Sequence, residues 1–199
     1  MTTETVNDRY KGLDAWGAGD IMRAITKGNA RAVKAVEDAL PQLEAAAAGI
    51  EPRLRAGGRL FYAGAGTSGR LGVMDAAELA PTFGFDRTEV LLAGGGEAQD
   101  RAQEGAEDDV AAATAAVERA GIGPADALIG VAASGKTPYT VAAVKRAKEL
   151  GAFTVGIANN HGTPLLSVGD VGVLLDTGPE VLAGSTRLAA GTAQKAALN

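Results

Sequence analysis

The stretch RLFYAGAGTSG, residues 59–69, decides the fold. It opens on a short apolar run, 59–63, with the length and composition of a buried strand. Glycines follow at 64, 66 and 69, and a segment of helical pattern then covers about 69–79. Strand, glycine turn and helix in that order open a parallel β-α-β unit. Downstream the alternation continues. Apolar runs rich in Val, Ile and Leu lie at 89–93, 127–133, 153–158 and 171–175, each followed by turn residues. Helical segments are expected at about 107–120 and 137–150, with a final one from about 181 onward. The interval between 158 and 171 has room for no more than a turn of helix. Strands buried on both faces and joined by helical crossovers predict an α/β domain with a five-stranded parallel sheet. Its expected strand order is flavodoxin-like, 2-1-3-4-5.

Upstream of this domain the pattern differs. Residues 1–19 are polar and read as an arm. From Asp20 the spacing is helical, with Val33, Val36, Leu40 and Leu43 on one face. Pro41 should kink or split that helix, and Gly57-Gly58 should end it. The division expected is 1–56, arm and helices, then 57–199, the ligand-binding domain.

Composition excludes several functions. The net charge is −5, without a dense Lys/Arg run, and aromatics are 4% of the chain. Broad phosphate-backbone binding and base stacking are both disfavoured, so no nucleic-acid partner is expected. There is no Cys and one His, His161, which rules out thiolate nucleophiles, cysteine zinc sites and multi-histidine metal centres. The expectation is no metal and no cofactor. His161, in NNHGTP, reads as a surface loop residue. No apolar run has the length of a membrane span and none resembles a signal peptide, so a soluble cytoplasmic protein is expected, with no membrane partner.

Two turns carry the chemistry. GAGTSG (64–69) follows the first strand, and ASGKTP (133–138) follows the third. Strands one and three are neighbours in the expected order, and their connections leave in opposite directions, which makes the crevice between them the ligand site. Both turns then face one pocket, each at a helix N-terminus with free N–H groups. Thr67, Ser68, Ser134, Gly135, Lys136 and Thr137 are the candidate phosphate ligands, with Lys136 or Arg187 to neutralise charge. GAGTSG also satisfies the dinucleotide pattern G-x-G-x-x-G, but that pattern needs an acid at the end of the second strand. Asp86 precedes that strand, and Glu97 follows it only after three glycines. A purely structural tight turn is the other reading. ASGKTP lacks the spacing of a nucleotide-triphosphate loop, and Thr137 with Pro138 also reads as an ordinary helix cap. GPEVLAGSTR (178–187) offers Glu180, Ser185 and Thr186 at the carboxyl end of the sheet, either as a solvated cap or as ligand contacts. Glu107 at a helix start is explained by the dipole alone; Glu78, at a helix C-terminus, is not.

In series these segments resemble a known family. GGRLFYAGAGTSGRLGVMDAAELAPTFG (57–84), LLAGGGEA (91–98), EGAEDD (104–109), VAASGKTPY (131–139) and GPEVLAGSTRLAAGTAQKAALN (178–199) look like the motifs of the N-acetylmuramic acid 6-phosphate etherases, and TETVNDR (3–9) resembles their N-terminal arm. The resemblance implies a sugar isomerase (SIS) fold, a homodimer, and a lyase without metal or redox cofactor. It implies cleavage of N-acetylmuramic acid 6-phosphate to N-acetylglucosamine 6-phosphate and D-lactate, in recycling of cell-wall sugars. It puts the catalytic carboxyls on Glu78 and Glu107. The family's usual Ser-Glu-Cys-Pro-Pro-Thr is Ala77-Glu78-Leu79-Ala80-Pro81-Thr82 here. The resemblance also implies further helices after Asn199, so the chain reads as short at its C-terminus. A non-catalytic sugar-phosphate sensor on the same fold is the rival reading. It needs the phosphate turns and neither glutamate. Along a continuous helix Glu78 lies nine residues beyond Gly69, about 14 Å from the phosphate turn. The expectation is therefore that it acts in a partner subunit's pocket.

Overall fold

The computed structural model describes residues 3–101 and 103–199; the first two residues of the expected arm lie outside the described residues. The arm makes two 3-10 turns, Asp8–Tyr10 and Leu13–Ala15, before α1 (Ala18–Asp38). The predicted break at Pro41 occurs: α1 ends at Ala39, and α2 (Leu40–Arg55) starts afresh with Pro41 in its first turn, where the missing N–H costs nothing. β1 (Leu60–Gly64), α3 (Gly66–Phe83), β2 (Thr88–Leu92), α4 (Val110–Arg119) and β3 (Ala127–Val131) follow. Then come α5 (Pro138–Glu149), β4 (Phe153–Ala158), the single turn α6 (Pro164–Val168), β5 (Val171–Leu174) and α7 (Ala189–Leu198).

The sheet has five strands in the order β2-β1-β3-β4-β5, and every pairing is parallel. Alternation along the strands divides the core. Phe61, Ala63 and Leu128 face α4, α5 and α6, where Val117, Val144 and Leu165 are fully buried. Leu60, Tyr62, Val155 and Ile157 face the other layer, built by α1, α2, α3 and α7. Connections leave β1 and β3 on opposite faces, which makes their carboxyl ends the switch point.

One buried polar cluster crosses the second layer. The Tyr62 hydroxyl donates to Asp75 Oδ2 at 2.6 Å, and Lys195 Nζ lies 3.5 Å from Asp75 Oδ1. Burial, then the bond to Asp75, pushes the Tyr62 phenol well above its usual range. The cluster ties β1, α3 and α7 together.

Several helix boundaries differ from the sequence expectation, α3 already beginning at Gly66 and not at 69. α3 runs to Phe83 and not to 79, because Gly84 in the left-handed region closes it, its N–H reaching Ala80 O at 2.9 Å. Pro81 sits in that last turn. α4 starts at Val110 and not at 107, because Asp109 accepts the Ala112 N–H at 2.8 Å and fixes the cap there. α7 starts at Ala189, eight residues after the expected 181. The cause is Glu180, buried to 1% exposure, which accepts the N–H groups of Ala189 (3.0 Å) and Ala190 (2.9 Å). The chain must fold back over 181–188 to bring its own cap to the helix start. α1 holds the stretch just before that segment: Arg31 donates from Nε to Thr177 O and from Nη2 to Pro179 O.

Candidate functional site

At the switch point both glycine turns border a cavity of about 520 Å³. From the first turn come Ala65, Gly66, Thr67 and Ser68; from the second, Ala133, Ser134, Lys136 and Thr137. Glycines make the close approach possible. A Cβ on Gly69 would come within 2.8 Å of the Gly64 carbonyl carbon and 2.4 Å of Leu92 Cδ1, so α3 starts hard against β1 only with Gly there. Gly135 has φ +65°, and its Cβ would meet Thr163 Oγ1 at 2.1 Å. It is therefore the residue that lets the second turn fold, and it is buried beneath the lining and not part of it.

Both helix starts are uncapped. Ala65, at the N-cap of α3, has no side-chain acceptor. Thr137 at the N-cap of α5 makes no capping bond; its hydroxyl lies 3.4 Å from Ser134 Oγ, which also accepts the Lys136 N–H at 3.2 Å. This departs from the cap reading of Thr137, although Pro138 does occupy the first helical position. Among the described residues no side chain caps either helix start, and both dipoles present their positive ends to the one cavity. Two such helix starts offer an anion its donors even in a chain of net charge −5.

Ser68 contributes differently from Thr67. Its hydroxyl donates to Gln194 Oε1 of α7 at 2.9 Å, Gln194 Nε2 donates to Asn159 Oδ1 at 2.8 Å, and Asn159 Nδ2 donates to Leu175 O at 2.9 Å. A buried polar chain thus runs from the first turn through α7 to the end of the sheet.

The structure brings together most of the candidates. Thr67, Ser68, Ser134, Lys136, Thr137, Thr186 and Glu107 line the cavity. Glu107 comes from the 3-10 turn Ala106–Asp108, with Asp108 beside it. Ser185 and Arg187 do not line it, and Glu180 is the buried cap of α7 described above. Glu78 is exposed on α3 outside this cavity, and the uninterrupted helix keeps the expected spacing of about 14 Å from Gly69. His161 is exposed in its loop, 2.7 Å from Asp176 Oδ2. Sequence reasoning missed Glu4 and Asp108, which also line the cavity. Glu4 was visible only as part of the TETVNDR resemblance; nothing in the spacing of a polar arm says where it returns. A larger cavity, about 840 Å³, opens between α2 and α3, but its lining is mainly apolar.

The doubly wound parallel sheet, with two hydroxyl-bearing helix starts around one cavity at its switch point, belongs to the SIS domain class. Residues 42–148 match the glucokinase regulatory protein N-terminal SIS domain, and residues 108–199 match the SIS domain. The fold resembles that of a phosphoheptose isomerase from Francisella tularensis, with a TM-score of 0.64 over 92% of this chain and 95% of that one, at 16% identity. Two curated relatives, both named N-acetylmuramic acid 6-phosphate etherase, are closer in sequence. The one from Deinococcus radiodurans is 54% identical over 99% of this chain and 65% of its own length. The one from Rubrobacter xylanophilus is 47% identical over 100% of this chain and 67% of its own length. The chain belongs to the N-acetylmuramic acid 6-phosphate etherase family, and spans about two thirds of the length of these relatives.

Proposed function

We propose that this chain cleaves the D-lactyl ether of N-acetylmuramic acid 6-phosphate, giving N-acetylglucosamine 6-phosphate and D-lactate in the recycling of cell-wall sugars. The observation that carries the reading is the meeting of two uncapped helix starts with the Glu107 carboxyl around one cavity. The phosphate takes the N–H groups and the hydroxyls of Thr67, Ser134 and Thr137, with Lys136 at the rim. In the open-chain sugar the C1 carbonyl acidifies the C2 proton. Glu107 removes it, the C3–O bond breaks, and the departing lactate oxygen takes a proton from a second carboxyl. Water then adds across the C2=C3 bond, its oxygen to C3 and a proton to C2.

Glu78 is the second carboxyl, and it works in the pocket of a partner chain. Its exposure and its distance from the phosphate turn along α3 support this assignment. The working unit is then a homodimer with each site near the subunit boundary, acting in the cytoplasm on a sugar 6-phosphate without metal or redox cofactor.

Release of D-lactate from N-acetylmuramic acid 6-phosphate is the direct test. Glu107→Gln should slow it by about 100-fold or more, as expected for loss of general base catalysis. Binding of the substrate without any lactate release by the parent chain would leave a sugar-phosphate sensor in place of the enzyme. Chains carrying Glu78→Gln, mixed with chains carrying Ser134→Ala and Thr137→Ala, should regain one working pocket per mixed dimer. Mixed dimers that form and stay inactive overturn the shared site.

A further inference from the structure

The cavity at the switch point holds more negative charge than a phosphate site needs. Glu4, Glu107 and Asp108 present three carboxylates to it, against the single ammonium of Lys136. Phosphate is repelled by carboxylates, so these groups serve the other end of the ligand. Glu107 has a role in the proposed reaction; Glu4 does not.

Glu4 reaches the cavity because the arm is fastened immediately before it. Thr3 is fully buried, and its backbone N–H donates to Asn160 Oδ1 at 3.2 Å. Asn160 Nδ2 in turn donates to Thr3 Oγ1 at 2.7 Å and to Ala133 O at 2.9 Å, at the head of the turn that carries Ser134. One buried amide therefore pins the arm to the phosphate turn. The carboxylate that follows lies over the segment holding Thr186, with its Oε2 3.6 Å from where a Cβ on Gly184 would stand. Among the described residues no hydrogen bond or ion pair engages that carboxylate.

We infer that Glu4 is a specificity-determining residue that accepts hydrogen bonds from the hydroxyl groups of the bound sugar, and that Thr3 and Asn160 are its positioning residues. The inference rests on the proposed sugar-phosphate reading of the cavity and deepens it. A carboxylate is the strongest acceptor a protein offers to a hydroxyl donor, and to an isolated phosphate it offers only repulsion. Glu4 thus separates polyhydroxylated phosphate esters from the phosphate ion that shares their anionic group.

The test is calorimetric titration of the 199-residue chain with N-acetylglucosamine 6-phosphate and, separately, with inorganic phosphate. Glu4→Gln should weaken the sugar phosphate about tenfold and leave inorganic phosphate bound at least as tightly as before, since a charge-assisted hydrogen bond is lost on one ligand and only repulsion on the other. Thr3→Val, which keeps the glutamate but removes one of its two tethers, should show the same one-sided loss in smaller degree. If Glu4→Gln leaves the sugar phosphate within about twofold, or weakens both ligands in step, the assignment of Glu4 is overturned while the phosphate site stands. If the parent chain binds neither ligand, the phosphate reading itself fails and this inference falls with it. Unchanged melting temperatures in both variants separate the effect from unfolding of the arm.

Discussion

Asp126 shows how one carboxylate is made to depend on its fold. It is buried at the amino end of β3 and accepts from Arg59 Nε (3.2 Å), from Arg59 Nη2 (2.8 Å), from the Arg59 N–H and from the Gly123 N–H. Burial alone would raise its pKa, but the Arg59 side chain and these N–H groups outweigh it and hold the carboxyl below its ordinary 3.8. A depressed folded pKa contributes stability above the unfolded value, and that stability is lost as pH falls through the folded one. The window therefore lies from about pH 4 downward. Asp170, held down by Thr154 and Lys148 against its own burial, adds to the same loss. Asp126→Asn should cost about 1–2 kcal/mol near neutral pH, at the low end because Arg59 is partly exposed, and the difference should shrink in acid. Urea titrations at several pH values check this; a constant difference down to pH 3 would contradict it.

At the scale of elements, the decisive residue is one that the sequence reading assigned to the ligand. Glu180 was a candidate contact; it serves as the cap of α7, with both carboxylate oxygens on backbone N–H groups at the positive end of the helix. The amide of Glu180→Gln keeps one acceptor oxygen and forfeits the charge. The expected cost is about 1–3 kcal/mol, with faster amide exchange in α7 as its local sign. Equal exchange rates in the variant would show that the helix start does not need this carboxylate. Helical periodicity could not reveal the arrangement. Residues 181–188 have helix-compatible composition, and only the long-range reach of Glu180 decides that the helix begins at Ala189. The same holds for α4, where Asp109 sets the start and leaves Glu107 in the preceding turn, turned towards the ligand cavity.

For the whole molecule, strand order and the meeting of the two glycine turns at one cavity were legible because they follow from chemistry local in sequence. Apolar runs separated by helical intervals fix a parallel sheet, and hydroxyl-bearing glycine turns after β1 and β3 meet wherever those strands are neighbours. What was not legible depends on distant partners. The return of the arm to the cavity hangs on Thr3 meeting Asn160, 157 residues away, and no periodicity encodes that. Glu78 is singled out by family resemblance alone, and its helix carries it away from the cavity.

The hydrogen bond from Ser68 to Gln194 makes the first glycine turn and the last helix parts of one thermodynamic machine. Whatever steadies the turn must also steady α7, and by reciprocity whatever loosens α7 must loosen the turn and any ligand it binds, by the same factor in each direction. Saturating sugar phosphate should therefore slow amide exchange along Ala189–Leu198, although no residue of that helix lines the cavity. In Gln194→Leu the protection should vanish while the cavity-lining hydroxyls remain. Exchange in α7 that ignores the ligand in the parent chain would mean the two ends of this buried chain open independently.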